Sequence, residues 1–220
     1  VLAALIKERG PRVVMMGNTS VGMDLGAGLS VTTGLPLIAY VNGLAADGGT
    51  PLGNSLNSLR IQGNSDNNQV GSTAVDFANE IAFAGTGDGI VIGSTDTGNL
   101  VGVNSIHDNG ALGIDLNNDN IVPANDGRAA DTGANNLQNW PAVTGVFRNG
   151  NNFGIVYFLS STPLTTFTLR FFHSPACDGS GNGEGGTFIG SLVQVTNGAG
   201  IATAAPQFAV NVPDSSFITA

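Results

Sequence analysis

The chain has 220 residues, of which 41% are hydrophobic, 33 are glycine and only 10% are charged. That balance excludes a disordered chain, which needs low hydrophobicity, and fits turn-rich β structure. Seven Lys and Arg against 16 Asp and Glu leave a net charge of -9, too few cations to meet nucleic-acid phosphates or an anionic membrane surface.

Cys177 is the single cysteine, so no disulfide can form within the chain. An acidic, lysine-poor composition rich in Asn, Gly and Thr suits an extracellular or cell-surface protein. No apolar run has the length of a membrane span. The first residue is Val1, no charged leader precedes a cleavage site, and the last residues read as a strand. The sequence is therefore expected to be a fragment, with any export signal or anchor outside it.

Residues 1–43 predict a small α/β segment. VLAALIKERG reads as a helix end, with Lys7 and Arg9 near its C-terminus and Gly10 and Pro11 as the stop. RVVMMG and LPLIAYV read as buried strands around a Gly-rich turn that enters a second helix, the alternation of a parallel sheet with helices. This stretch resembles the N-terminal nucleotide-binding-like domain of electron transfer flavoproteins. The likeness rests on the turn at Gly17, Gly22, Asp24 and Leu25 and on the step from Gly34 to Pro36. It implies an FAD-linked electron carrier. The turn lacks the Lys-Ser/Thr of a P-loop, so FAD is not expected for the chain as a whole. The segment is otherwise a junction between unrelated coding segments, or an N-terminal cap on the strands beyond it.

After a linker, LAADGGTPLG, residues 44–116 consist of very short apolar runs between Gly, Asn, Asp, Ser and Thr. The runs are centred on Ile61, Val70, Ile81, Ile90 to Ile92, Val101, Ile106 and Ile114 to Leu116. Each is too short for a helix, and β-branched residues dominate. Isolated strands of this length do not persist in water, so they must stack. GDGIVI and NGALGIDL resemble each other at a spacing of roughly 24 residues, and NNQV and GNLV at roughly 31, about one coil of a solenoid. The pattern predicts a short right-handed parallel β-helix of about three coils. One internal stack would hold Ile61, Ile90 or Ile92, and Ile114. A second would hold Val70 and Val101, and a third Ile81 and Ile106. Asn64, Asn68, Asn79, Asn99, Asn104 and Asn109 fall at the corners. There Asn tolerates left-handed torsions and bonds to the backbone above or below.

The stretch resembles right-handed β-helix regions of bacterial surface and secreted proteins. These include polysaccharide lyases and hydrolases as well as non-catalytic adhesin stalks. A lyase site needs a carboxylate-bound calcium and a basic residue, and Arg60 is the sole cation from Asn57 to Leu116. A hydrolase site needs converging carboxylates. Asp76, Glu80, Asp88, Asp96, Asp108 and Asp115 are scattered along the sequence, and His107 reads as a surface histidine without an orienting partner.

Residues 117–138 predict an Asp/Asn-rich linker loop. Asp115, Asn117 and Asp119 alternate, the Ile121 carbonyl falls mid-loop, and Asp126 closes a span of about twelve residues, as oxygen ligands of calcium do. The alternative is an Asx-rich turn without metal. The run from Asn104 to Asp119, with Asp131 to Asn139 and Pro141, resembles the exit loop of bacterial surface proteins in which a β-helix runs into a β-sandwich.

Residues 139–220 change rhythm to longer alternating strands. In TFTLRFFHS, Phe167, Leu169 and Phe171 share one face. Asn149-Gly150 and Asn197-Gly198 read as hairpin signals. Five or more antiparallel strands predict an Ig-like β-sandwich, and the segment FFHSPACDGSGNGEGGTFIGS resembles Ig-like repeats of bacterial surface proteins. The loop from Cys177 to Gly186 reads as an exposed polar loop, and Cys177 as a thiol without an activating base.

The leading expectation is a mainly β, non-enzymatic fragment of a secreted or cell-surface protein. It would serve adhesion, spacing or display, with a surface glycan or a protein as partner. The runner-up is a piece of a β-helix polysaccharide lyase or hydrolase.

Overall fold

The computed structural model describes residues 53–73, 78–127 and 131–220. The expected α/β segment of residues 1–43 lies outside the described residues. The described chain is mainly β, parallel in its first part and antiparallel in its second. None of its helices is long and apolar enough to cross a membrane.

Seven short strands make up the first part. They are β1 (Leu59–Ile61), β2 (Gln69–Val70), β3 (Glu80–Ala82), β4 (Ile90–Ile92), β5 (Leu100–Val101), β6 (Ser105–His107) and β7 (Ile114–Leu116). They pair in parallel as β1-β4-β7, β2-β5 and β3-β6. No strand exceeds three residues, so each depends on the rung beside it for hydrogen bonds and for cover. The predicted pairs Val70↔Val101 and Ile81↔Ile106 are in register. The first predicted stack divides in two. Ile61 pairs with Ile92 and then Leu116, while Leu59 pairs with Ile90 and then Ile114. Side chains two apart on a strand share a face, so both rows point inward. Ile61, Val70, Ile81, Ile90, Ile92, Ile106 and Ala134 form one buried cluster. Ile114, on the outermost rung, is 42% exposed.

The repeat is uneven. Partners in β1 and β4 are 31 residues apart, and those in β4 and β7 are 24 apart. Most of the difference lies in one corner: nine residues (71–79) separate β2 from β3, whereas three (102–104) separate β5 from β6.

Asx side chains hold the corners together. Asn99 Oδ1 accepts both Asn68 N–H and Asn68 Nδ2–H at 2.9 Å. Asn104 Oδ1 accepts Asn79 N–H at 3.2 Å and its Nδ2–H at 2.9 Å. Asn109 Oδ1 accepts Ala84 N–H at 3.2 Å. Asn57 Oδ1 accepts Asp88 N–H, and Asp88 Oδ1 accepts Leu112 N–H, each at 2.9 Å. A corner has no continuous backbone ladder, and these amides and carboxylates satisfy donors that would otherwise be buried unpaired.

After β7 the chain leaves this stack and returns at a 3-10 turn, Ala134–Leu137. Asn117 Oδ1 accepts Ala134 N–H at 3.0 Å, closing the excursion. Asn135 then extends a corner row: its Oδ1 accepts Asn99 N–H at 2.9 Å, and its Nδ2 donates to Asn99 O at 2.6 Å. Ala134 is fully buried against the apolar cluster.

The second part comprises β8 (Ala142–Asn149), β9 (Asn152–Ser160), β10 (Thr166–Ser174), β11 (Thr187–Val195), β12 (Ile201–Ala204), β13 (Gln207–Phe208) and β14 (Phe217–Thr219). One sheet places β9 between β8 and the successive strands β12 and β13; the other runs β11-β10-β14. A single core joins the two sheets, with Ile155, Tyr157 and Leu159 from β9 meeting Leu169 and Phe171 from β10. Tyr157 and Phe208 both lie against the Phe171 ring, at 5.7 and 5.8 Å between centroids. Such tilted pairs stabilise a core beyond the area they bury.

The predicted alternation in β10 holds up to a register shift between Phe171 and Phe172. The Asn149-Gly150 hairpin joins β8 to β9, with Gly150 at φ 59°. The Asn197-Gly198 signal marks a tight turn but no hairpin, because β11 and β12 belong to different sheets. Asn197 Oδ1 accepts both Ala199 N–H at 2.9 Å and Ile201 N–H at 3.0 Å. Those bonds tighten the turn while the chain crosses from one layer to the other.

Candidate functional site

The predicted metal ligands lie where β7 enters its excursion. Asp115 shares its rung with Val91 and is 1% exposed. Its carboxylate accepts Asp119 N–H at 3.4 Å and Asn120 N–H at 3.1 Å. Burial raises the pKa of Asp115, and the charges of Asp88 and Asp119 raise it further, against the pull of those two backbone bonds. Asp119 Oδ1 accepts Ile121 N–H at 2.9 Å, while the Ile121 side chain is exposed. Asn117, at φ 80°, turns its Oδ1 to Ala134. The Asp126 carbonyl accepts Asn139 Nδ2–H at 2.7 Å.

The structure thus brings Asp115 and Asp119 together, ties Asn117 to the returning chain, and ties Asp126 to the entry of the second part. Short polar side chains bonded to backbone N–H groups a few residues on are the chemistry of Asx turns. The left-handed torsions of Asn117, Asn118 and Asn120 belong to the same chemistry. Among the described residues, no group of three or more His, Cys, Asp or Glu side chains is placed to hold a metal ion.

His107 has one partner beside it in sequence, Asp108, and one that the fold brings up, Glu80. Its Nδ1 is 2.7 Å from Asp108 Oδ2, and its Nε2 is 3.4 Å from Glu80 Oε1. The Phe83 ring stands edge-on to it at 5.7 Å. Both carboxylates are largely exposed, so water screens the pairs. Asp96 is fully buried, its Oδ1 accepting Ser65 N–H at 2.6 Å across the corner. Cys177 is exposed.

The most densely bonded place is one that sequence reasoning missed. The loop before β11 reads as exposed in the sequence, yet Glu184 is only 6% exposed. Its Oε1 accepts Asn109 Nδ2–H at 2.9 Å, and its Oε2 accepts Asn109 N–H at 3.4 Å. Gly185 O accepts Ile106 N–H at 2.9 Å, and Gly186 O accepts Ser105 Oγ–H at 2.6 Å. Glu184 O in turn accepts Ser174 Oγ–H and Thr219 Oγ1–H, at 3.2 and 3.0 Å. Residues 184–186 therefore lie beside β6, running opposite to it, and are anchored at their back to β10 and β14. Burial raises the Glu184 pKa most; the two Asn109 bonds lower it, and the charges of Asp178 and Asp108 raise it.

A model of the electron transfer flavoprotein domain matches residues 1–60. The match reaches Arg60, within β1, whose strand pairs with β4. The search of curated proteins finds no match.

Proposed function

We propose that the chain is a non-enzymatic spacing and display piece of an extracellular or cell-surface protein. In this reading residues 44–116 form a short right-handed parallel β-helix, residues 117–138 a linker loop, and residues 139–220 an Ig-like β-sandwich that closes its end. A surface glycan or a protein is the partner. The observation that carries the proposal is the bond from Ile106 N–H to Gly185 O. It ties β6 to backbone of the second part beside the Ser105–Gly186 and Asn109–Glu184 bonds, so the two parts are held by several hydrogen bonds rather than by a tether. A stiff join is what a stalk needs and what independently moving domains lack.

The test is calorimetry on the intact chain and on Glu184→Ala. A single transition in the former that splits into two in the latter supports the reading. Two independent transitions in the unaltered chain overturn it. Turnover of polygalacturonate or alginate would replace it with the lyase or hydrolase reading.

A second reading, an FAD-linked electron carrier, draws on the family match to residues 1–60. It predicts a yellow protein with a flavin absorbance spectrum after purification, and a colourless one counts against it.

A further inference from the structure

Among the described residues four Asn-Gly steps occur, at Asn109, Asn149, Asn182 and Asn197. Such a step holds a latent reaction, because glycine lacks the side chain that would shield its amide nitrogen from the carboxamide before it. The fold treats the four differently. Asn109 is buried, its carboxamide bonds Ala84 N–H, Ile81 O and Glu184, and Gly110 N–H donates to Ala84 O at 2.7 Å. Asn149 ends β8 paired with Asn152, and its Nδ2 donates to Gln207 Oε1 at 2.9 Å. Asn197 Oδ1 accepts two backbone N–H groups. Asn182, by contrast, is exposed, and its Nδ2 reaches only Ser180 O, at 3.4 Å. Neither Asn182 Oδ1 nor Gly183 N–H has a hydrogen-bond partner among the described residues. Of the four steps, this one alone leaves carboxamide and amide nitrogen both free.

We propose that Asn182-Gly183 is a self-modification site whose products weaken the hold of residues 184–186 on the parallel half. The Gly183 nitrogen gives its proton to hydroxide and attacks Asn182 Cγ. The N–Cγ bond forms as the Cγ–Nδ2 bond breaks, and Nδ2 takes a proton from water and leaves as ammonia. Water then opens the cyclic imide at either carbonyl. One opening leaves aspartate. The other leaves isoaspartate, with the main chain routed through Cβ and Cγ and lengthened by one methylene. Nothing is oxidised or reduced, and water is the sole co-reactant.

Two features carry the change to the junction. A Cβ at Gly183 would fall on Thr219 Cγ2, so the backbone there has no room to move toward β14. The added methylene must displace Gly183 the other way or strain the turn before it, where Asp178 accepts Ser180 N–H and Gly181 N–H. Each product also adds a carboxylate two residues from Glu184, on which the charge of Asp178 already bears. Glu184 is the residue whose carboxylate holds Asn109.

The full chain is incubated warm at mildly alkaline and at mildly acidic pH, then mapped by mass spectrometry, with isoaspartate counted by isoaspartyl methyltransferase labelling. Asn182 is expected to convert about tenfold or more faster than the other three, whose amides must first give up a hydrogen bond. Alkali should speed it, since the attacking nitrogen must lose a proton. In the converted chain, exchange of the Ile106 and Asn109 amides, which donate to Gly185 O and Glu184 Oε2, should quicken about threefold or more. Asn182→Gln, incubated alike, should show no such change. Asn182→Asp carries the charge without the methylene and should quicken exchange less. Earlier conversion at another of the four steps, or none at Asn182, overturns the site. Conversion at Asn182 with unchanged exchange at Ile106 and Asn109 overturns its link to the junction.

Discussion

The two halves of this molecule solve one problem, the cohesion of β-strands, by opposite means. The antiparallel half uses strands of up to nine residues whose backbones bond along their length, and it packs aromatic rings between two layers. The parallel half uses strands of two or three residues and transfers part of the bonding to Asn and Asp side chains at the corners. In the first, hydrogen bonding and hydrophobic burial are separate and each is extensive. In the second, every rung is completed by the side chains of the next, so the loss of one amide is felt on two levels.

The contrast is tested most strongly in the cores. Phe171→Ala should destabilise the antiparallel half by about 3–5 kcal/mol, and Ile92→Ala the parallel half by about 2–4 kcal/mol. Both are readable by denaturant titration. Equal local and global losses for Ile92→Ala would mean that the halves unfold as one body.

The sharper separation comes from amides. Asn104→Ala removes an acceptor for two Asn79 N–H groups and a donor to Val70 O and Gly102 O. A cost of about 2–3 kcal/mol is expected, because the orphaned partners are buried. Asn197→Ala, in an exposed turn of the other half, should cost about 1 kcal/mol. Equal values would erase the distinction drawn between the halves.

Glycines extend the comparison. Gly71 has φ 74°, and a Cβ there would lie 2.6 Å from Val103 O and 2.3 Å from Asn104 Oδ1. Gly71→Ala should therefore lower stability by about 1–3 kcal/mol. The three atoms nearest to a Cβ at Gly154 all belong to the Phe147 ring, the first at 2.3 Å. Phe147 is 36% exposed and can swing outward, so Gly154→Ala should cost less than about 1 kcal/mol.

The junction between the halves gives a pH signature. Burial raises the folded-state pKa of Glu184 above its usual value, so between the usual and the raised value the folded chain holds a proton that the unfolded chain has released. The Glu184 contribution to stability is then present below the ordinary glutamate range and is lost as pH rises through the raised pKa. Asp115 acts in the same direction. Glu184→Gln should flatten the fall in melting temperature from acid to neutral pH, and an unchanged slope would remove Glu184 as its source. The smallest expected effect is that of calcium. Because Asp115, Asn117 and Asp119 already accept backbone N–H groups, adding calcium or chelator should leave the melting temperature unmoved. A rise on titration would support the metal reading of that loop.

The strands of the parallel half were legible because their runs are bounded by Gly, Asn and Asp, and because similar apolar runs recur, Val101 31 residues after Val70 and Ile106 25 after Ile81. Their exact partners were less so. The division of Ile61 and Ile90 into different rows depends on a two-residue choice of register, which keeps the same face inward and so cannot be fixed by a period of two without the facing strand. Asn135 was readable as part of a loop but not as the next member of the Asn68–Asn99 row, since the excursion before it breaks the repeat. Glu184 had no local signal at all. It reaches Asn109 from 75 residues away, and its own sequence, flanked by glycines, reads as solvent-facing. His107 failed for a related reason, because Glu80 comes beside it only through the pairing of β3 with β6.

The closure at Asn117 and Ala134 has a further consequence. The 3.0 Å bond sets the two ends of the excursion next to each other, and the Asn135–Asn99 bonds and the burial of Ala134 hold the returning end to the layers beneath, so added length between the ends leaves those layers in place. Loop entropy grows only with the logarithm of length, about 0.6 kcal/mol for each doubling. The bend after β7 is thus a natural splice point, where an epitope, a tag or a whole foreign domain could be grafted and carried outward while the rungs below keep their places.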